Sequence, residues 1–91
     1  VRTFSRTSQF KKDVKRVEKR RKDLGKLREV MELLIDEQSL PERLKDHSLR
    51  GEFNGSRDCH IEPDWVLIYT ICEGGAHVRF DRTGTHSDLF R

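Results

Sequence analysis

The fold is decided by residues 57–80: Arg57-Asp58-Cys59-His60-Ile61-Glu62-Pro63-Asp64-Trp65-Val66-Leu67-Ile68-Tyr69-Thr70-Ile71-Cys72-Glu73-Gly74-Gly75-Ala76-His77-Val78-Arg79-Phe80. Side chains of a strand alternate between its two faces, so a period of two marks a half-buried strand. Cys59 and Ile61 point to a core, while Asp58, His60 and Glu62 point away from it. Pro63-Asp64 breaks the run. Residues 66–72 are apolar on both parities, as a central strand requires. Glu73-Gly74-Gly75 is a turn signal. Val78 and Phe80 continue the core on a further strand, with His77, Arg79 and Asp81 facing outward. The expectation is a three-strand meander.

Working back toward the N terminus, the period becomes helical. Phe10, Val14 and Val17 recur at i, i+4 and i+7, and Thr7 or Ser8 can cap that helix. Lys11, Lys12, Lys15, Arg16, Lys19 and Arg20 cover the rest of its surface. Asp23 caps a second helix, whose stripe is Leu24, Leu27, Met31 and Leu34. Two amphipathic helices joined by a short turn form an antiparallel hairpin. Residues 2–6 alternate around Phe4 and form a short strand. Residues 38–54 show no sustained period and read as a loop, with one turn of helix at most, that carries His47. Beyond Phe80, Thr83-Gly84-Thr85 ends the last strand, and Leu89-Phe90 lies in a short C-terminal tail. The chain therefore reads as α+β: an N-terminal strand and a two-helix hairpin packed on a mostly antiparallel sheet.

At 91 residues, with 33% hydrophobic and 38% charged, the chain reads as a single domain over 1–91 with one modest core. Its charge is uneven. Residues 1–28 carry twelve Lys/Arg against three Asp/Glu, a net of +9; residues 51–91 carry four against seven, a net of −3. A basic N-terminal half suits a polyanion or an acidic partner, although a solvated helix face has the same composition. The two cysteines, Cys59 and Cys72, lie in apolar runs without a CxxC, which favours buried thiols over a disulfide framework or a zinc site. No secretory h-region and no membrane-spanning apolar run is evident, so a cytoplasmic location is expected.

RNA cleavage without a metal or other cofactor needs a base for the 2′-hydroxyl, a cation for the phosphorane and an acid for the departing 5′-oxygen. Histidine suits the first and last tasks, because both of its protonation states are accessible near neutrality. Arginine suits the second, because its fork pairs with phosphate and stays charged. His47, His60, His86, Arg79 and Arg82 supply that set, and Asp64 offers a carboxylate to orient an imidazole. The spacing alone does not separate this reading from scattered surface histidines.

Three segments add to it: Lys45-Asp46-His47-Ser48-Leu49, His60-Ile61-Glu62-Pro63-Asp64-Trp65 followed by Leu67-Ile68-Tyr69, and Arg82-Thr83-Gly84-Thr85-His86 followed by Leu89-Phe90. Together with the basic run at 19–23, they closely resemble the YafQ toxins of the RelE superfamily of type II toxin–antitoxin modules. The resemblance covers nearly the whole chain. It implies a RelE-like fold, ribosome-dependent cleavage of mRNA in the A site, and translation arrest. It also implies inhibition by a cognate, DinJ-like antitoxin, through which the complex would bind operator DNA.

Carried over by motif, the family's catalytic groups fall on His86, His60, Asp64, His47 and Arg82, with His86 as general acid and His60 or Asp64 as base. The family's tryptophan and C-terminal aromatic fall on Trp65 and Phe90, which are expected to contact RNA; Arg79 joins them on its own chemistry, and the basic helix residues Lys11, Lys12, Lys15, Lys19 and Arg20 are expected to grip ribosomal RNA. Trp65 has a core reading as well. Ser48 stands where the family often has proline, which would loosen the loop around His47. Arg91 would place a further cation near the site. His77 has no place in the pattern. Two other functions remain to be separated from the nuclease: a ParE-like inhibitor of DNA gyrase, and a non-catalytic RNA-binding module.

Overall fold

A computed structural model describes residues 1–90. Arg91, and the cation expected there, lies outside the described residues.

The chain begins with strand β1 (Thr3–Arg6), followed by helices α1 (Ser8–Lys19) and α2 (Leu24–Ile35). Short strand β2 (His47–Ser48) precedes β3 (Arg57–Glu62), β4 (Trp65–Cys72) and β5 (His77–Gly84), and helix α3 (His86–Leu89) ends the fold. The five strands form one sheet in the order β1-β5-β4-β3-β2. The meander β3-β4-β5 is antiparallel, and β2 pairs antiparallel with β3. Strand β1 pairs parallel with β5, Thr3 opposite His77 and Arg6 opposite Phe80. The helices thus connect β1 to the rest of the sheet, and a mixed sheet results from a single parallel edge.

The caps are those read from the sequence. The Thr7 hydroxyl accepts from the Phe10 amide at 2.9 Å, and the Asp23 carboxylate accepts from the Gly25 amide at 2.9 Å. The buried stripe of α1 is Phe10, Asp13 and Val17, and that of α2 is Leu27, Val30 and Leu34. They cover one sheet face, made by Cys59, Trp65, Leu67, Tyr69, Val78 and Phe80. Val66 and Ile68 point to the opposite face and are covered by Leu89, Leu49 and Phe53. This second small core is why β4 is apolar on both parities. Both cysteines are free thiols, and burial pushes the Cys59 thiol up to about 12. Among the described residues, no helix is long and apolar enough to cross a membrane.

Two irregularities shape the sheet. Between β4 and β5, Ile68 faces Arg82 while Tyr69 faces Phe80, so Asp81 is an extra residue in β5. Between β3 and β4, His60 faces Val66 while Glu62 faces Trp65, so Ile61 is extra. Such bulges re-aim the side chains that follow them.

Candidate active site

The face away from α1 and α2 carries the chemistry. The registers His47–Asp58, Asp58–Ile68 and His60–Val66 place His47, Asp58 and His60 on the same side of the sheet as Val66 and Ile68. Leu89 of α3 covers those two apolar residues, which sets His86 beside His60. Three imidazoles therefore stand in a row across β2, β3 and α3. The His47 and His60 rings are stacked at 6.2 Å, and the His60 and His86 rings are 5.3 Å apart. Phe90 follows at 6.0 Å from His86 and meets Phe53 edge-on at 5.7 Å.

His86 is held by a capped turn. The Thr85 hydroxyl accepts from the Asp88 amide at 3.1 Å, and Asp88 returns a bond from the Thr85 amide at 2.9 Å. Gly84 is needed for this. A Cβ at that position would lie 2.8 Å from the Asp88 carboxylate and 3.1 Å from its Cβ. Arg20 donates to both Asp88 oxygens, at 2.6 and 3.2 Å, and with the Thr85 bonds it keeps the Asp88 carboxyl well below the ordinary carboxylate range. The acid behind His86 is Asp64. One of its oxygens accepts from the His86 amide at 3.0 Å and lies 2.6 Å from His86 Nδ1. These two bonds lower the Asp64 pKa and orient the His86 imidazole.

Hydrogen-bond partners fix the tautomers. His47 Nδ1 lies 2.8 Å from the Lys45 carbonyl, which can only accept, so this nitrogen carries the hydrogen, and in the neutral ring Nε2 holds the lone pair. Lys45 has a left-handed backbone (φ 50°), which belongs to the same turn. By the same logic, the Asp64 carboxylate puts a hydrogen on His86 Nδ1. His60 Nε2 and His86 Nε2 are 3.3 Å apart, while His60 Nδ1 is buried without a partner among the described residues. Neutral His60 therefore carries its hydrogen on Nε2, because a buried unpaired N–H is the costlier tautomer.

Beneath the row is Asp58, 3% exposed. Burial raises its pKa, opposed by the charges of His47, His60 and His86. Its Oδ1 is 3.0 Å from His47 Nδ1 but makes no aligned hydrogen bond. Asp58 was not among the expected site residues. Its parity with His60 was the available signal, since residues i and i+2 of a strand share a face.

His47 does not lie in a free loop. It sits in β2, and a polar clamp holds that strand. The Asp46 carboxylate accepts from the Tyr69 hydroxyl and from Arg57 Nε and Nη2, at 3.1 and 2.9 Å for the arginine. Arg57 Nη1 also donates to the Ser48 hydroxyl at 3.0 Å. Ser48, expected to loosen this segment, is thus one of its anchors.

Several expected contacts are placed elsewhere. Trp65 is 1% exposed, and its indole N–H donates to the Thr83 hydroxyl at 3.0 Å. It is a core residue with no face open to a base. Arg82 donates through Nε and Nη2 to buried Asp13, at 2.7 and 3.3 Å. Burial pushes the Asp13 carboxyl upward, and bonds from Arg82, Gln9 and the Thr83 amide more than reverse this, leaving it below its ordinary value. Arg79 lies toward the far end of β5 and pairs with Asp81 at 2.5 Å. Arg20 is committed to Asp88. Lys11, Lys12, Lys15 and Lys19 are exposed along α1. His77 is bracketed by the Thr3 and Ser5 hydroxyls of β1, at 2.7 and 2.8 Å, apart from the row.

On one face of this small α+β fold three imidazoles stand in a row, the Asp64 carboxylate orienting the outermost and buried Asp58 lying beside the first, a set of groups able to give and take protons. Residues 2–91 match the family described as bacterial toxin of type II toxin–antitoxin system, YafQ. The mRNA interferase toxin YafQ of Escherichia coli K12 is 49% identical over 85 residues, covering 92% of this chain and 90% of that protein. The crystal structure of YafQ from E. coli BL21(DE3) superposes with a TM-score of 0.93 at 46% identity, with full coverage of both chains. The toxin of the E. coli DinJ–YafQ complex gives a TM-score of 0.91 at 47% identity, again over the whole of both chains. This chain belongs to the YafQ family of type II toxins.

Proposed function

We propose that this chain is an endoribonuclease that cuts messenger RNA in the ribosomal A site, arrests translation, and is held inactive by a cognate antitoxin. The supporting observation is the row His47–His60–His86, with Asp58 beneath it and Asp64 behind its outer member. The activity in the names of its relatives, and the antitoxin complex formed by one of them, point the same way.

In the reaction, a base takes the 2′-hydroxyl proton, and the 2′-oxygen bonds to phosphorus. The bond from phosphorus to the 5′-oxygen breaks, and an acid protonates that oxygen. The products are a 2′,3′-cyclic phosphate and a 5′-hydroxyl. Attacking and leaving oxygens lie on opposite sides of phosphorus, so base and acid must flank the phosphate. His60 and His86 touch at Nε2 and leave no room between them. The ends of the row do flank it. His47 presents the free Nε2 lone pair and is the base. His86, whose ring the Asp64 carboxylate orients through Nδ1 so that Nε2 faces the row, is the acid. His60 then donates its Nε2 hydrogen to a non-bridging phosphate oxygen instead of to His86. Arg82 adds fixed positive charge, with Nη1 outside its pairing to Asp13. Phe90 stacks on a neighbouring base, and the exposed lysines of α1 bind ribosomal RNA.

The test is to map mRNA 5′ ends on programmed ribosomes with and without the protein. New ends within the A-site codon support this reading. Absence of cutting alongside inhibition of gyrase supercoiling, or salt-sensitive RNA binding alone, overturns it.

A further inference from the structure

Most cations around the imidazole row are already paired. Arg57 holds Asp46, Arg82 holds Asp13, Arg20 holds Asp88, and Lys22 and Lys26 both hold Glu62, at 2.9 and 3.1 Å. Two are not. Arg43 and Lys45 are exposed, and neither side chain has a hydrogen bond or ion pair among the described residues. Both line a cleft of about 380 Å³ that opens beside His60. Its apolar wall is Leu44, Ile61 and Pro63. The remaining lining residue, Glu62, is ionised and covered by two lysines, so this wall is also net positive.

We infer that this cleft is a nucleotide subsite: it takes the ribose and base next to the cut against Leu44, Ile61 and Pro63, and Arg43 and Lys45 bind that nucleotide's phosphate. The inference rests on the nuclease reading and assigns the substrate position that reading leaves open. Four features carry it. The volume lies within the range of small-ligand sites. The apolar wall and unpaired cations match the two halves of a nucleotide. His60, a member of the row, forms part of the lining. And the Lys45 backbone is tied to the row, since its carbonyl accepts from His47 Nδ1 at 2.8 Å. Phe90 lies at the opposite end of the row, so the RNA strand crosses the imidazoles from Phe90 to Arg43 and Lys45.

The test is a chemical double-mutant cycle on programmed ribosomes under single-turnover conditions. The wild type, Arg43→Gln and Arg43→Gln/Lys45→Gln are each given native mRNA. They are also given mRNA with an uncharged methylphosphonate in place of the phosphate on one or the other side of the cut. On native mRNA the double variant is expected to cleave roughly tenfold or more slowly. At one of the two flanking positions, the methylphosphonate should slow the wild type by a similar factor and the double variant hardly at all, because both changes remove the same contact. Melting temperature should be unchanged, since both side chains are free. Arg43→Gln alone should show an intermediate loss. Wild-type rates in the double variant, or losses that simply add at both flanking positions, would overturn the subsite. Wild type that cuts neither mRNA would instead overturn the nuclease reading.

Discussion

Asp58 Oδ1 lies 3.0 Å from His47 Nδ1, yet it is buried and accepts no hydrogen bond among the described residues. Desolvating that oxygen costs stability, and the charges of His47, His60 and His86 offset part of the cost. Its pKa is raised by burial, so its contribution to folding is fully present below the unfolded carboxylate pKa and is lost as pH rises through the folded value. Asp58→Asn should therefore be more stable at pH 7, by about 1 kcal/mol or about 4–8 °C in melting, while cleaving mRNA more slowly. Melting curves at pH 4 and pH 7 check the sign: the gain should shrink at the lower pH.

Asp13 behaves in the opposite way. Its folded pKa lies below the ordinary value, so its stabilisation is present above the unfolded pKa and is lost as pH falls through the folded one. Asp13→Asn removes the charge that holds Arg82 and Arg16. We expect it to lose about 2–3 kcal/mol at pH 7, the range for hydrogen bonds to charged groups. Denaturant titrations at pH 7 and pH 3 should show a smaller difference between wild type and variant at the lower pH.

Trp65→Phe should reduce stability by about 1–3 kcal/mol, because the Thr83 hydroxyl loses its indole partner in the core. The cleavage rate of the folded fraction should be unchanged. Adding an uncleavable 2′-O-methyl RNA should leave the emission of Trp65 unquenched in the wild type.

Tyr69→Phe removes a donor from the clamp on Asp46 and loosens β2, which carries His47. The cleavage rate constant should fall roughly tenfold, since a misplacement of 1 Å at a catalytic group costs up to about 100-fold. The half-saturating protein concentration should hardly move. A change confined to half-saturation would contradict a positioning role.

Much of this was legible in the sequence where a period or a motif spans enough residues. The meander showed in the alternation around Cys59, His60 and Ile61, and both helix caps in Thr7 and Asp23. The YafQ resemblance marked His47, His60, Asp64 and His86, which the fold gathers at one edge. Strand β2 was not legible, because two residues carry no period and its anchors Asp46, Arg57 and Tyr69 are set by long-range pairing. The parallel β1–β5 edge has the same cause. Asp13 was hidden because a charge on an apolar stripe reads as a break in it. Its position between Phe10 and Val17 makes sense only once Arg82 arrives from β5. Asp58 was read as facing away from the main core, which is right, but Leu49, Phe53 and Leu89 build a second small core on that face.

Whether the imidazole row cuts RNA by acid–base chemistry is read out by single-turnover cleavage of ribosome-bound mRNA with the ends identified chemically. Wild type should leave 2′,3′-cyclic phosphate and 5′-hydroxyl ends. His86→Ala and His47→Ala should each be slower by at least about 100-fold, the lower bound for losing a general acid or base. Equal rates in wild type and His86→Ala, or ends bearing a 5′-phosphate, would contradict it.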